Sequence, residues 1–544
     1  MSQRNRLVVL LCAAWLLPGL IGHDPWKPDE AYTFGVVYQL LQGGSWVVPT
    51  LAGEPFLDKP PLFHLTAAAC ARLFSFILPL HDAARLATGL WMALTFAFTA
   101  AAARELNGER YGAVAVLLLL GCFGLVVRSH QLITDVAMLA GFAMAYYGCA
   151  LALRRPLAGG FWIGAGAGIA FLSNGVAAPG IVGALAVLLP ACGPSWRSRR
   201  YAGALAVAAS AAAPWLLIWP TLLHARSPQL FFEWLWEANL ADYTGGAVSF
   251  AKSATFYLGT LPWYAFPAWL LALWALWRAR RPDGWREPRV VLPLTGFFVT
   301  LAVLSASSDA RELNALPMLL PLTLLAVPAP ETLRRGAMNA WYWFSVMTWT
   351  FFIVAFWFYW SALELGFPER LHQHLHAIRP GYEFGFRWLP FLIGSVYTLA
   401  WCVVLIRLKK GPERPVVAWA AGITVMWALL AVLFVGWADN VKSYRSMIVG
   451  MQMALPKTYH CMSSRNLSEP QRASLHYFAG IVTYREEVPE RRRVCDLLLV
   501  QGTRRDTEAL PSYWRKIWEG QRPGDKDEMY RLYRRAGPPT KRRR

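Results

Sequence analysis

The chain has 544 residues, of which 56% are hydrophobic and only 16% are charged. A typical soluble domain carries about 25% charged residues, so one large soluble core is excluded, and so is a disordered chain. The apolar residues form blocks of about 15–25 separated by short Arg-bearing loops, the pattern of a polytopic membrane protein. The net charge of +20 does not indicate a nucleic-acid partner, because many basic residues punctuate these blocks instead of covering one soluble face.

The N-terminal region sets the predicted topology. Arg4 and Arg6 precede the first apolar run, Leu7–Gly22. By the positive-inside rule they put the N-terminus in the cytoplasm and the first long loop, about 23–82, outside. The apolar block Leu62–Leu80 inside that loop contains an Arg, which is costly in a spanning helix, so we interpret the block as an interfacial amphipathic helix.

With that interpretation the basic loops all fall on the inner side, and the sequence predicts about thirteen spans. After Leu7–Gly22 the predicted spans are Arg85–Ala103, Gly112–Val127, Val136–Leu153, Phe161–Leu172, Val176–Leu189, Ala204–Pro220, Thr255–Trp277, Val290–Leu304, Leu316–Val327, Trp341–Trp360, Trp388–Ile406 and Val416–Val435. An odd number of spans leaves the C-terminal segment outside.

The composition divides the chain into two predicted domains, a membrane domain at 1–436 and a soluble C-terminal domain at 437–544. In the second, Val441–Leu455 is helix-like, whereas Tyr477–Tyr484 and Val494–Gln501 have the apolar character of strands. The sequence therefore predicts a mostly α membrane protein with a small α/β domain at its C-terminus.

The eight cysteines fall into two groups. Six lie in or beside apolar blocks and are interpreted as small buried hydrophobes. Cys461 and Cys495 lie in the C-terminal domain, which the topology puts in an oxidising compartment, so we predict a disulfide between them, with two unpaired thiols as the alternative. The absence of a CxxC or His/Cys ligand spacing argues against a structural zinc site.

Three short motifs occur in the first outer loop. Their sequences are Trp-Lys-Pro-Asp-Glu at 26–30, Gly-Ser-Trp-Val-Val-Pro at 44–49 and Asp-Lys-Pro-Pro-Leu at 58–62. Each has a purely structural explanation as well. Asp29 and Glu30 follow a Pro at the start of a predicted helix, where carboxylates favour the exposed N–H groups. Lys59 can be an interfacial cation whose stem lies along apolar surface.

Together these motifs resemble the bacterial aminoarabinose transferases that modify lipid A, within the GT-C superfamily of polyprenyl-phosphate-sugar glycosyltransferases. The resemblance implies an inverting transfer of 4-amino-4-deoxy-L-arabinose, or a similar sugar, at the periplasmic face of the inner membrane. The donor would be a polyprenyl-phosphate sugar and the acceptor lipid A or another envelope glycolipid. We expect membrane lipids but no nucleic acid as partners. We also expect that no cofactor is required, and the sequence disfavours a divalent metal without excluding one.

The resemblance also implies the site residues. The catalytic acid of the family corresponds to Asp29, a second outer-loop acid to Asp135, and the phosphate-binding lysine to Lys59. A cation near the donor phosphate stabilises charge on the leaving group, and a carboxylate activates an acceptor hydroxyl or stabilises the sugar cation. Further residues are predicted to bind substrate: Glu30, Asp58, Arg128 and Glu237.

The sequence departs from the family pattern at informative positions. The family usually has an Arg near the position of Tyr32, so the phosphate-binding cation must come from elsewhere, with Arg128 and Lys59 as candidates. Ser-Asn-Gly at 173–175 stands where the family often has Thr-Lys-Gly. Glu-Ala-Asn at 237–239 replaces the common Glu-His, which argues against a metal site there.

Other functions and sites stay open from sequence alone. Protein O-glycosylation is the nearer alternative, and a flippase for a lipid-linked substrate is the alternative of another class. Transporters tend to carry ionisable groups at the midplane and internal repeats, whereas here the candidate groups map to outer loops. His372, His374 and His376 would bind metal only if extended, and a solvated loop is favoured. Asp309 and Arg311 form either an ion pair or a contact for an acceptor phosphate.

Overall fold

The computed structural model describes residues 3–244, 246–280, 284–378, 385–488, 493–505, 510–525 and 527–536. Helices dominate the chain as far as residue 442. These helices are α1 (Gln3–Leu16), α2 (Asp29–Leu41), α3 (Leu62–Phe74), α4 (Leu80–Asn107), α5 (Tyr111–Leu120), α6 (Phe123–Arg128), α7 (Asp135–Leu151), α8 (Pro156–Asn174), α9 (Ala177–Cys192), α10 (Arg199–Arg226), α11 (Pro228–Leu235), α12 (Gly246–Tyr264), α13 (Ala268–Arg278), α14 (Pro288–Ala306), α15 (Leu319–Ala326), α16 (Ala329–Thr332), α17 (Arg335–Glu364), α18 (Glu369–Ile378), α19 (Trp388–Arg407), α20 (Arg414–Leu433) and α21 (Val435–Lys442).

The helices bear out a multi-pass membrane protein. Among the described residues, eight helical stretches are long and apolar enough to cross a membrane: α4, α8, α10, α14, Glu312–Thr332, α17, α19 and α20. Each overlaps a predicted span. The other predicted spans overlap shorter or interrupted helices, so the number thirteen stays a prediction.

Two regions of the chain test the predicted topology. The block interpreted as interfacial forms α3, which has 13 residues and is too short for the roughly 20 residues that a spanning helix needs. The single span expected over Thr255–Trp277 is instead divided into α12 and α13 at residues 265–267. Pro267 ends the continuity, because a proline has no N–H for the helix and its ring disfavours helical geometry in the residue before it.

Small residues bring α7 and α8 close together. A Cβ atom added at Gly148 would lie 2.6 Å from the backbone nitrogen of Ile163, and one added at Gly141 would lie 2.6 Å from the carbonyl oxygen of Gly166. Glycines of this kind let membrane helices approach backbone to backbone. Since the two helices are antiparallel, the start of α7 at Asp135 lies beside the end of α8.

The C-terminal domain is a small α/β unit, as predicted. Its elements are α22 (Arg445–Met453), β3 (Met462–Arg465), α23 (Glu469–Ala479), β4 (Thr483–Arg485), β5 (Leu497–Gly502), β6 (Trp514–Gly520) and β7 (Met529–Arg535). Five strands form one sheet in the order β4-β3-β5-β7-β6, in which β3 pairs in parallel with β4 and β5, and β7 pairs antiparallel with β5 and β6. The disulfide between Cys461 and Cys495 is present, which confirms that prediction.

Two details of this domain differ from the sequence expectation. The strand expected over Tyr477–Tyr484 is wrong in its first half, because residues 477–479 are the last turn of α23. Gly480 ends that helix with a φ of +67°, a conformation that glycine adopts without strain. The predicted boundary at 436/437 falls within α21, and the separate hydrophobic core of the domain includes residues from Tyr444 onward.

The first outer loop carries a short hairpin, β1 (Thr50–Leu51) with β2 (Glu54–Pro55), and binds the C-terminal domain through charged contacts. Asp24 accepts hydrogen bonds from Arg445 Nε and from the Ser443 hydroxyl, both at 2.7 Å. Glu54 pairs with Arg472 at 2.7 Å. We call the Asp24, Ser443 and Arg445 contact the loop–domain latch. It joins the first loop to the C-terminal domain.

Candidate active site

A cleft of about 540 Å³ collects most of the residues that the sequence singled out. The first loop contributes Asp29 from the start of α2 and Lys59 from just before α3, while Arg128 comes from the end of α6 and Asp135 from the start of α7. Asp58 and Glu237 also line the cleft. The structure thus brings together every predicted site residue except Glu30.

Asp29 is held between a phenol and a guanidinium. The Tyr32 hydroxyl donates a hydrogen bond to Oδ1 of Asp29 at 3.0 Å, and Nη1 of Arg128 lies 3.5 Å from Oδ2. Burial and the neighbouring carboxylates raise the pKa of Tyr32, so the phenol stays protonated and remains a donor. Tyr32 therefore orients the Asp29 carboxylate, and Arg128 supplies the positive charge on this side of the cleft.

Lys59 and Asp135 are bridged by an amide that the sequence analysis noted only as a departure. Lys59 Nζ donates to Oδ1 of Asn174, and Nδ2 of Asn174 lies 3.3 Å from Oδ1 of Asp135. Asn174 closes α8, so the close packing of α7 and α8 sets this bridge. An ammonium group has three donors, which leaves Lys59 able to bind a further acceptor such as a phosphate oxygen.

Another part of the cleft is lined by residues between 304 and 317 and by the segment before α12. Arg311 pairs with Asp309 at 2.8 Å, and its side chain remains 67% exposed. The ion pair considered from sequence is therefore present, and both of its members also line the cleft. Among the described lining residues three are cationic, namely Lys59, Arg128 and Arg311. Seven are acidic: Asp29, Asp58, Asp135, Glu237, Asp242, Asp309 and Glu312. The cleft has an excess of negative charge.

Glu30 does not reach the cleft. Its side chain is fully buried and accepts hydrogen bonds from Arg85 Nε at 3.0 Å and from the backbone N–H groups of Leu132 and Trp26 at 2.8 and 3.1 Å. Burial opposes ionisation, but the charge of Arg85 and these donors hold the pKa of Glu30 below its ordinary value. The arrangement argues against the predicted role in substrate binding. Glu30 instead fixes the first loop against the loop that carries Asp135.

The histidines considered as metal ligands lie neither in the solvated loop that the sequence favoured nor in the extended segment that metal binding would need. His372 and His374 lie on α18, a helix, and Nδ1 of His372 bonds the carbonyl of Ala362 at 2.9 Å. Near the cleft, Asn239 is engaged by its own surroundings, since Oδ1 accepts from the N–H of Val176 at 2.9 Å. Within the part of the chain that the structure describes, no three His, Cys, Asp or Glu side chains are arranged to hold a metal ion.

Comparisons with known sequences find similarity to glycosyltransferases. The model of the dolichyl-phosphate-mannose-protein mannosyltransferase family matches residues 58–219. The chain is 27% identical over 450 residues to the undecaprenyl phosphate-alpha-4-amino-4-deoxy-L-arabinose arabinosyl transferase of Pseudomonas aeruginosa strain UCBPP-PA14, covering 80% of this chain and 76% of that one. Similarly named proteins of Pseudomonas fluorescens and Sodalis glossinidius are 27% and 29% identical, each over 59% of this chain. The chain spans little more than half of these two relatives, 56% and 57%.

The fold of the chain is similar to that of solved structures of an aminoarabinose transferase-like protein, ArnT. The crystal structure of ArnT from Cupriavidus metallidurans in the apo state superposes with a TM-score of 0.70 at 16% identity, over 99% of this chain and 100% of that chain. The form bound to undecaprenyl phosphate gives 0.71 at 15% identity. The chain therefore has the polytopic fold of these structures, and the resemblance to aminoarabinose transferases that the sequence motifs indicated is confirmed.

Proposed function

We propose that this multi-pass membrane protein is a glycosyltransferase that moves a sugar from a polyprenyl-phosphate donor to lipid A or another envelope glycolipid. The observation that carries the proposal is the cleft itself, in which Asp29 and Lys59 of the first loop lie with Arg128 at the end of α6 and Asp135 at the start of α7. A lipid-linked substrate reaches such a position without leaving the bilayer. The names of the relatives from Pseudomonas and Sodalis support the same activity.

The proposed reaction is an inverting displacement at the anomeric carbon. The bond from that carbon to the donor phosphate oxygen breaks, and the acceptor oxygen forms a new bond on the opposite face of the sugar. Lys59 and Arg128 bind the departing phosphate and stabilise its increasing negative charge. Where the acceptor is a hydroxyl, Asp29 takes its proton, whereas an ionised phosphate acceptor needs no base and Asp29 then orients substrate.

The charge of the cleft supports an amino sugar such as 4-amino-4-deoxy-L-arabinose. A donor with an uncharged sugar would bring only its anionic phosphate into a cleft whose acidic residues outnumber its basic ones. An ammonium group on the sugar forms charge-assisted hydrogen bonds with these carboxylates, and such bonds are about twice as strong as neutral ones. Asp135, Asp58 and Glu237 are the carboxylates that we propose for this contact, while the cations remain for the phosphates.

The decisive experiment is mass spectrometry of lipid A from cells with and without this protein. We expect a mass increment of one aminopentose on lipid A that requires the protein and that the Asp29→Asn variant does not restore. The match to the mannosyltransferase family favours one competing activity, the glycosylation of proteins. Unmodified lipid A together with protein-dependent hexose on envelope proteins would reject the glycolipid acceptor and support that alternative.

We further propose that the protein resides in the bacterial inner membrane with the N-terminus in the cytoplasm and the cleft and C-terminal domain in the periplasm. Labelling of single cysteines tests this orientation. Ser45 and Arg154 are both exposed, so Ser45→Cys and Arg154→Cys are suitable in a chain whose exposed Cys192 and Cys402 are replaced by Ala. A membrane-impermeant maleimide should label intact spheroplasts at position 45 only, and the reverse result would invert the topology.

We propose that the transfer needs no cofactor, because the donor already carries a phosphate leaving group. Purified protein should keep its rate of transfer after dialysis against EDTA. A rate that falls with EDTA and returns with a divalent cation would refute this part of the proposal.

A further inference from the structure

A second cavity, lined by several basic residues, lies at the opposite end of the helical bundle from the cleft. It has a volume of about 410 Å³ and lies between the starts of α17 and α20. Its described lining residues are Arg335, Met338, Asn339, Tyr342, Lys410, Gly411, Pro412, Arg414 and Pro415. Helix α17 has 30 residues, or about 45 Å, and Leu363 near its far end lines a cavity together with Trp26 of the first loop. The two sites are therefore on opposite membrane faces.

Among the residues that the structure describes, no acidic side chain lines this basic cavity to neutralise its charge. Three of its lining residues are cationic, Arg335, Lys410 and Arg414, and none of the described ones is acidic. The nearby carboxylate of Glu413 is paired with Arg4 at 2.7 Å. Arg414 stacks on the Tyr342 ring at 3.6 Å, and its buried Nε has no hydrogen-bond partner among the described residues. Like charges gathered around one cavity attract an anion.

The surface beside the basic cavity is apolar. On α17, Trp343 and Met347 follow Asn339 at intervals of four residues, so all three lie on one helical face. Trp343 is 60% exposed and Met347 is 69% exposed. The basic cavity therefore adjoins an apolar stripe on α17 that extends toward the middle of the membrane.

We propose that the basic cavity binds the headgroup phosphate of an anionic phospholipid, with an acyl chain along Trp343 and Met347. Basic pockets between spanning helices bind such headgroups. The positive-inside rule and a spanning helix account for basic loops and for an exposed apolar surface in general, but they do not require three cations from two helices to line one cavity. A soluble phosphate compound would use the cavity and leave the stripe empty. The site is independent of the proposed glycosyl transfer.

The test compares two variants of equal charge in the full-length protein purified in detergent. Arg335→Gln/Lys410→Gln removes two cavity cations and leaves the stacked Arg414 in place. Arg199→Gln/Arg200→Gln removes two exposed cations at the start of another helix, α10. Native mass spectrometry measures the affinity for phosphatidylglycerol and, in parallel, for zwitterionic phosphatidylcholine and for glycerol 3-phosphate. Thermal unfolding in phosphatidylcholine micelles verifies that both variants are folded.

The cavity variant should bind phosphatidylglycerol about 25-fold more weakly than the native chain, because each of the two cations contributes roughly fivefold near an anionic lipid. The control variant should bind it as the native chain does, and phosphatidylcholine should bind all three chains equally. An equal loss in both variants would show general surface attraction and overturn the proposal. So would unchanged binding in the cavity variant, or glycerol 3-phosphate binding as tightly as the lipid.

Discussion

Asp29 and Glu30 are consecutive carboxylates at the start of α2, yet their surroundings differ completely. Asp29 remains 18% exposed in the cleft, with a phenol on one oxygen and a guanidinium 3.5 Å from the other. Glu30 has no exposed surface and accepts three hydrogen bonds from Arg85 and two backbone amides. The Asp29 side chain is accessible to a substrate, whereas the Glu30 side chain is fully buried and bonded within the protein.

The difference separates chemistry from architecture in a region dense with charge. A buried carboxylate that is fully paired cannot accept a proton or bind a ligand without breaking the contacts that hold it. A carboxylate beside a cavity keeps free lone pairs and can meet a sugar. Substitutions at the two positions should therefore damage different properties, and four experiments measure how far that separation holds.

The largest expected effect is on catalysis at Asp29. Asp29→Asn keeps the size and the contact with Tyr32 but removes the negative charge, so the transfer rate should fall about 10³-fold, within the range of acid–base groups. The rate of sugar transfer by purified protein from polyprenyl phosphate measures it. The midpoint of thermal unfolding should stay within about 1 °C. Normal turnover by the Asn variant would remove Asp29 from the mechanism.

Glu30→Gln should damage stability more than chemistry. The substitution removes one of the two carboxylates that pair with Arg85 and leaves only Asp82, which is 2.7 Å away. Breaking a buried ion pair costs about 3–5 kcal/mol. Unfolding of the purified variant should occur at clearly lower temperature, while the folded fraction keeps most of its specific activity. If the variant is as stable as the native chain but inactive, the division between the two carboxylates is wrong.

Lys59→Ala should weaken the use of the donor by about 10- to 100-fold, chiefly in KM, because a charged hydrogen bond contributes about 1.5–3 kcal/mol. Steady-state kinetics with varied donor concentration measures the change. Asn174→Ala is the matched control, since it removes the bridge to Asp135 but keeps the ammonium group. A similar KM for the Lys59→Ala and native chains would exclude the phosphate contact.

The smallest expected effect concerns the loop–domain latch. Burial raises the pKa of Asp24, but the bonds from Arg445 and Ser443 more than offset it, so the folded pKa lies below the ordinary value. The latch then stabilises the protein above the ordinary pKa of Asp, about 4, and the contribution is lost as the pH falls through the folded pKa. Arg445→Gln should cost about 1 kcal/mol at pH 7, since Arg445 is half-exposed.

The pH profile of thermal unfolding gives the check. The difference between the native chain and Arg445→Gln should shrink as the pH is lowered below about 4. A difference that is constant from pH 7 to acid would mean that the side chains contribute by packing, not through the charge of Asp24.

Most of the fold could be predicted because long apolar blocks and basic loops report directly on membrane helices. Errors arose where a local breaker interrupts an apolar run. The run at residues 477–484 is apolar enough for a strand, but Gly480 divides it into a helix end and a short strand. Similarly, Pro267 divides one apolar block into α12 and α13. In both places the breaker was visible in the sequence and was outweighed by hydrophobicity.

The candidate site was predicted for Asp29, Asp135 and Lys59 by resemblance, because these residues stand in recognisable motifs. Asn174 was not assigned, since its contact with Lys59 joins residues 115 positions apart and depends on the packing of α7 against α8. That Glu30 lies outside the cleft could not be predicted for a related reason. Adjacent helical residues point about 100° apart, and the sequence does not reveal which direction holds Arg85.

The latch also sets an order of assembly. Asp24 and Arg445 are separated by 421 residues, so at about 5–20 residues per second the ribosome makes the second partner roughly 20–80 s after the first. During that interval the first loop has left the ribosome without the domain that binds it. A chain whose synthesis stops early therefore retains the first loop but lacks the contacts that hold Asp24 to the C-terminal domain, so this part of the fold can form only after translation has passed residue 445.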